Sequence, residues 1–166
     1  MKVIITGATG LVGGAVVRHC IANEKITHAF VLTRKPLPEL ATDPKVTVVT
    51  HDDFSTYPAD LLERLAGAEG CIWAIGGRAT QFPDVETAKR VGVDYTLAAA
   101  NAFASALAPR LPDGRAFRFV FCSGKYAEWE QEKSLAFLAD TRRIKVRSAI
   151  VNAGVCPVLD SDLRRN

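Results

Sequence analysis

No run of apolar residues approaches the roughly 18 needed to span a bilayer, and the opening six residues are too short for a secretory leader before a glycine-rich loop interrupts them. The cytosol is therefore the expected compartment, with no membrane partner. Cysteine is sparse. Cys20, Cys71, Cys122 and Cys156 stand far apart, and no pair has the C-x-x-C spacing of a zinc site or a redox dithiol. Cys71 and Cys122 lie in apolar runs and read as small core residues. The three histidines, His19, His28 and His51, are equally isolated, so no metal site is expected. Neither sign of charge dominates: 21 Lys and Arg against 18 Asp and Glu leave +3, too mild for a nucleic-acid-binding face. The densest basic run, from Arg142 to Arg147, reads as a solvated helix face. What remains is an ordinary globular balance, 48% hydrophobic and 23% charged over 166 residues. That suits one domain with a real core, and excludes a disordered, collagen-like or disulfide-dense chain.

Short apolar runs alternate with helical patterns. Strands are expected at 2–6, 27–33, 45–50, 70–75 and 115–122. Helices are expected at 11–23, 58–66, 84–107 and 130–145. In the first helix Val12, Ala15, Val16 and Cys20 recur at helical spacing. Pro36, Pro38 and Pro44 mark a loop after the second strand. Continuous apolar strands alternating with helices imply a parallel sheet covered on both faces. The fold class is therefore a doubly wound α/β domain of Rossmann type with five or six strands.

The strongest local signal is Thr6-Gly7-Ala8-Thr9-Gly10-Leu11-Val12-Gly13-Gly14, between the first strand and the first helix. Glycines at 7, 10 and 13 give a G-x-x-G-x-x-G spacing. Gly7 permits the tight turn out of the strand, Gly10 lets the backbone approach a pyrophosphate, and Gly13 lets the helix pack closely. The helix N-terminus adds free N–H groups and positive potential. Gly7, Thr9, Gly10, Leu11, Val12 and Gly13 are thus candidate dinucleotide-binding residues; a glycine turn without a ligand is the alternative. An NAD enzyme usually carries an acidic residue at the end of the second strand. Here Thr33-Arg34-Lys35 stands instead, and Arg34 can pair with a 2′-phosphate, which favours NADP.

The segment TGATGxxG at the N-terminus resembles the short-chain dehydrogenase/reductase superfamily in its extended and atypical branches, and the resemblance runs to about Lys145. Three further segments carry it: residues 71–78 (CIWAIGGR), Val93-Asp94-Tyr95, and Phe121-Cys122-Ser123-Gly124. Together they look like the oxidoreductases of the Tat-interacting-protein type and their fungal relatives. The resemblance implies that Asp53 meets the adenine amino group, with helix capping as its alternative. It also implies that Ala74, Ile75 and Gly76 line the cofactor ribose, and that Asp94 makes a structural hydrogen bond.

Short-chain reductases use a Ser, a Tyr and a Lys, the last two four residues apart so that they share a helix face. Ser123 and Lys145 fit the serine and lysine positions. The residue four before Lys145 is Thr141, so the tyrosine is missing, and Tyr126 is the remaining phenol near the site. The superfamily also continues well past the lysine, whereas 21 residues follow Lys145 here. Residues 149–157 could add a strand, and the chain looks shortened, with 146–166 an atypical C-terminal segment of a single domain 1–166. The expected activity is NADP-dependent oxidoreduction of a small organic substrate, polyketide-like aromatics included, in secondary metabolism. The alternatives are a non-catalytic NADP-binding regulator or redox sensor, and a structural partner protein with a vestigial loop. A homodimer is a candidate assembly.

Overall fold

The computed structural model describes residues 1–124, 127, 128, 130, 134, 135 and 137–145. Five parallel strands, β1 (Lys2–Thr6), β2 (His28–Thr33), β3 (Val46–Thr50), β4 (Gly70–Trp73) and β5 (Arg118–Phe121), form one sheet in the order β3-β2-β1-β4-β5. Helices α1 (Leu11–Ala22), α2 (Ala59–Arg64), α3 (Val85–Lys89) and α4 (Tyr95–Ala106) connect them. A fifth helix, α5, covers 139–145. The doubly wound Rossmann architecture is the observed one.

Alternation along the strands builds two cores. Successive side chains of a strand point to opposite faces. Ile4, Leu32, Cys71 and Trp73 meet Leu61 of α2 and Phe103 of α4 on one face, while Val3, Ile5, Ala29 and Val31 meet Val17 and Cys20 of α1 on the other. The central strands β1 and β2 are therefore buried on both sides and read as unbroken apolar runs. Cys71 is fully buried, and burial pushes its thiol well above the ordinary range. Cys122 is only half-buried, against expectation, because it follows β5 at the edge of the described sheet. Cys156 lies outside the described residues.

Two expected helices differ. The stretch 84–107 is α3 and α4 joined through a π-helical turn, Arg90–Asp94. Asp84 caps its start by accepting the Thr87 N–H. Of the helix expected at 130–145, the described helical residues are 139–145, and they start after Leu138, whose φ of 48° is a left-handed conformation that a helix interior does not accommodate. Among the described residues no helix is long and apolar enough to cross a membrane, and no cluster of metal-ligating side chains is found.

One lysine ties the first helix to the sheet. The Lys45 ammonium, just before β3, donates to the carbonyls of Cys20, Ile21 and Asn23 at 3.3, 2.8 and 2.9 Å. These acceptors lie at the C-terminus of α1, where the helix dipole also favours a cation; the Cys20 and Asn23 carbonyls accept the Asn23 and Ile26 N–H groups as well. Lys45→Met keeps the aliphatic stem and removes the charge. It is expected to cost about 1–2 kcal/mol, read as a fall in Tm of roughly 3–6 °C for a domain of this size.

Candidate functional site

The sheet order changes direction at β1. The chain runs outward through β2 and β3, then crosses back to β4 on the other side of β1. Such a switch point leaves a crevice beyond the strands' C-terminal ends. Thr6 closes the base of the crevice by accepting the Ala74 N–H at 3.1 Å, so the ends of β1 and β4 are held together.

The glycine loop forms a cradle there. Gly7 has φ 68°, and a Cβ on it would stand 2.5 Å from the Ala74 carbonyl oxygen. Both the turn and the neighbouring strand exclude a side chain. The Gly10 N–H bonds the Gly7 carbonyl at 2.9 Å, and the Gly14 N–H bonds the Gly10 carbonyl at 2.9 Å to start α1. Ahead of that bond, the N–H groups of Leu11, Val12 and Gly13 belong to the unsatisfied first turn. Gly10 is the N-cap and offers no side-chain acceptor. A Cβ on Gly13 would stand 2.1 Å from the Gly7 carbonyl oxygen, so the helix rests directly on the loop. A bare backbone surface with free donors and a positive helix end fits a dinucleotide pyrophosphate. Leu11 and Val12 point outward, 90% and 48% exposed, and can contribute only through their backbone.

Above the cradle lies a cavity of about 410 Å³. Its floor is Gly7, Ala8, Thr9 and Gly10. On the β2–β3 side its wall is Leu32, Thr33, Arg34, Lys35, Asp52 and Phe54, and on the β4 side Ala74, Ile75, Gly76, Phe82, Val91 and Tyr95. The Thr33 hydroxyl binds both the Lys35 N–H and the Lys35 carbonyl, at 3.3 and 3.2 Å, and so shapes the turn that carries Arg34. Neither Arg34 nor Lys35 has an ion-pair partner among the described residues. Asp53 stands outside this wall. Its carboxylate accepts from the Ser55 N–H at 2.9 Å and the Thr56 hydroxyl at 3.2 Å, and the Ser55 bonds hold its pKa below the usual range. The neighbouring Asp52 takes the place in the wall.

Lys145 ends the described part of α5. Its ammonium lies 3.5 Å from the Cys122 carbonyl and 5.4 Å from the centre of the Phe121 ring. A Cβ on Gly76, which has φ 137°, would stand 2.9 Å from Nζ. Lys145 is thus seated against Gly76, a residue of the cavity wall, and burial pushes its pKa down. Ser123 follows Cys122 beyond β5 and is exposed. The Thr141 hydroxyl, four residues before Lys145, accepts the Ala79 N–H at 2.8 Å and so anchors the loop after β4. Tyr126 lies outside the described residues. Asp94 is exposed, and its side chain has no hydrogen-bond partner among the described residues. Sequence reasoning passed over Phe82 and Val91 as wall residues. Tyr95 could have been found, because it stands in one of the three resembling segments.

Residues 7–143 match the NAD(P)H-binding family, and the chain belongs to it. Over 76 residues it is 40% identical to the leucinostatins biosynthesis cluster protein T of Purpureocillium lilacinum, a match covering 46% of this chain and 28% of that protein. Among solved structures, it is similar to the UDP-glucuronic acid 4-epimerase of Bacillus cereus, determined with UDP-glucuronic acid and NAD. The TM-score is 0.69 at 14% identity, covering 93% of this chain and 52% of that one. It is also similar to a short-chain dehydrogenase/reductase of Burkholderia vietnamiensis, with TM-score 0.63 at 20% identity, covering 88% of this chain and 71% of that one. The chain therefore spans about half the length of the epimerase and a smaller share of the fungal protein.

Proposed function

We propose that this NAD(P)H-binding domain prefers NADP and serves oxidoreduction of a small organic substrate. The observation that carries the preference is the wall beyond β2, where Arg34 and Lys35 stand without ion-pair partners among the described residues and directly follow Thr33 where an acidic residue would suit NAD. A guanidinium there can hold a 2′-phosphate by charge-assisted bonds, whereas a ribose diol would call for a carboxylate. The free N–H groups of Leu11, Val12 and Gly13, with Gly7, Thr9 and Gly10 beneath, would hold the pyrophosphate. Asp52, rather than Asp53, faces the adenine side. Ala74 and Gly76 leave room for the ribose on the β4 side.

Bound NADPH would supply a hydride. Lys145, desolvated against Gly76, would hold the ribose and offer positive charge to the reacting end of the cavity. Ser123 would polarise a substrate oxygen, and Tyr126 is the phenol proposed to donate the proton. The fungal relative is named for a biosynthesis cluster, which supports a substrate from secondary metabolism. A second reading is a non-catalytic NADP-binding regulator. The Thr141 hydroxyl favours it, because the position four before Lys145 holds a loop instead of presenting an acid.

Titration with NADPH and NADH, followed by nicotinamide fluorescence, tests the cofactor. NADPH is expected to bind the tighter. Arg34→Gln is expected to weaken NADPH by about 10- to 100-fold, the worth of one hydrogen bond to a charged group, and to leave NADH within a few-fold. Equal loss of both cofactors would sink the preference, and no binding of either would sink the whole reading. NADPH oxidation across a panel of quinones and enones, compared with Lys145→Ala, then separates enzyme from regulator.

A further inference from the structure

The π-helical turn between α3 and α4 has a partner in α5. Gly92, inside the turn, is buried, and a Cβ placed on it would stand 2.6 Å from Cγ2 of Ile144. Ile144 is itself 6% exposed. The residue before Gly92, Val91, is in the cavity wall; the residue after Ile144, Lys145, rests on Gly76, another wall residue. Successive residues of a helix point about 100° apart, so α5 touches the cavity's supports in two directions at once. The turn is secured on its own side by the Thr96 hydroxyl, which donates to the Gly92 carbonyl at 2.8 Å. A single π turn inside a helix commonly marks a functional position.

We propose that Gly92 and Ile144 form a lock that positions Lys145. The π turn presents a bare Cα, the β-branch of Ile144 fills the space, and Lys145 is thereby held between Gly76 and Phe121. Gly92 and Ile144 are positioning residues and touch no ligand. The functional meaning of the lock rests on the role proposed above for Lys145, but its geometry can be tested without any cofactor.

The test uses the full chain carrying 13C at lysine Cε. The ring of Phe121 lies within reach of the Lys145 side-chain end, so its Hε resonance should be displaced from those of exposed lysines. Lys145→Arg identifies it by disappearance. In Gly92→Ala the added methyl meets Ile144, and the resonance is expected to lose its displacement. In Gly92→Ala with Ile144→Leu it should return at least halfway, because leucine keeps the volume of isoleucine but carries no methyl on its β-carbon. If Gly92→Ala does not fold, Ile144→Ala empties the lock without a clash, and loss of the displacement is expected there. A folded Gly92→Ala or Ile144→Ala protein whose Lys145 resonance is unmoved overturns the proposal, as does a double variant no closer to the parent than Gly92→Ala. NADPH titration of the parent is a separate readout: its failure overturns the cofactor reading and leaves the lock standing.

Discussion

Replacing Gly13 by alanine is expected to lower stability by about 3 kcal/mol and to remove cofactor binding with it. Two effects oppose each other at this position. In a helix interior alanine is favoured over glycine by about 1 kcal/mol, and Gly13 has no unusual φ that would forbid it. Against this, the new Cβ would stand 2.1 Å from the Gly7 oxygen, 2.4 Å from the Gly7 carbon and 2.9 Å from the Ala8 nitrogen. All three are backbone atoms of a loop pinned on its other side by Ala74, which would itself lie 2.5 Å from a Cβ on Gly7. No flexible side chain can swing away, so either α1 lifts or the loop opens, and each outcome spoils the cradle. The clash wins. Tm should fall by roughly 6–12 °C for a domain of this size, and NADPH titration of the folded fraction should show no saturation. A Gly13→Ala protein that melts within about 1 °C of the parent would mean that the helix does not rest on the loop.

Much of this arrangement was legible in the sequence, and the parts that were not share a physical cause. The runs at 2–6 and 27–33 had to be strands covered on both faces, because their centres, Val3-Ile4-Ile5 and Ala29-Phe30-Val31-Leu32, are apolar on both alternating sets. The loop from Gly7 to Gly13 carried its own explanation in its spacing. The expected fourth strand overran the observed one: β4 stops at Trp73 because Gly76 turns the chain with a left-handed φ, and Ala74 and Ile75 become cavity wall. The π turn was not legible, since Gly92 is shaped to Ile144, some fifty residues on, and local propensity has no access to such a partner. Which of Asp52 and Asp53 lines the cavity was equally hidden. Two adjacent carboxylates follow the same strand, and the one claimed by Ser55 and Thr56 leaves the other to face the cavity. Thr141 could be read only as a missing tyrosine. Its hydrogen bond to Ala79 shows what the position does instead.

Gly10→Asp should separate binding from folding, where Gly13→Ala joins them. Gly10 is exposed, and its φ of −90° with ψ 167° is ordinary extended backbone. A Cβ there meets a single atom closely, the Gly7 oxygen at 3.3 Å. Aspartate is moreover among the preferred N-cap residues, and α1 has no side-chain cap of its own. Tm is therefore expected to stay within a few degrees of the parent, or to rise. Binding should respond in the opposite sense. The new carboxylate would take the N–H groups of the first turn and put negative charge where a pyrophosphate must come. A loss of NADPH affinity of about 100-fold or more is expected, which corresponds to roughly 2.7 kcal/mol. Gly10→Asn provides the control for size, because it caps the helix with nearly the same shape and no charge. It should retain the stability gain and lose less affinity than the aspartate. NADPH binding equal to the parent's in Gly10→Asp would mean that the anion does not sit on this helix end, and the cofactor assignment would fall with it.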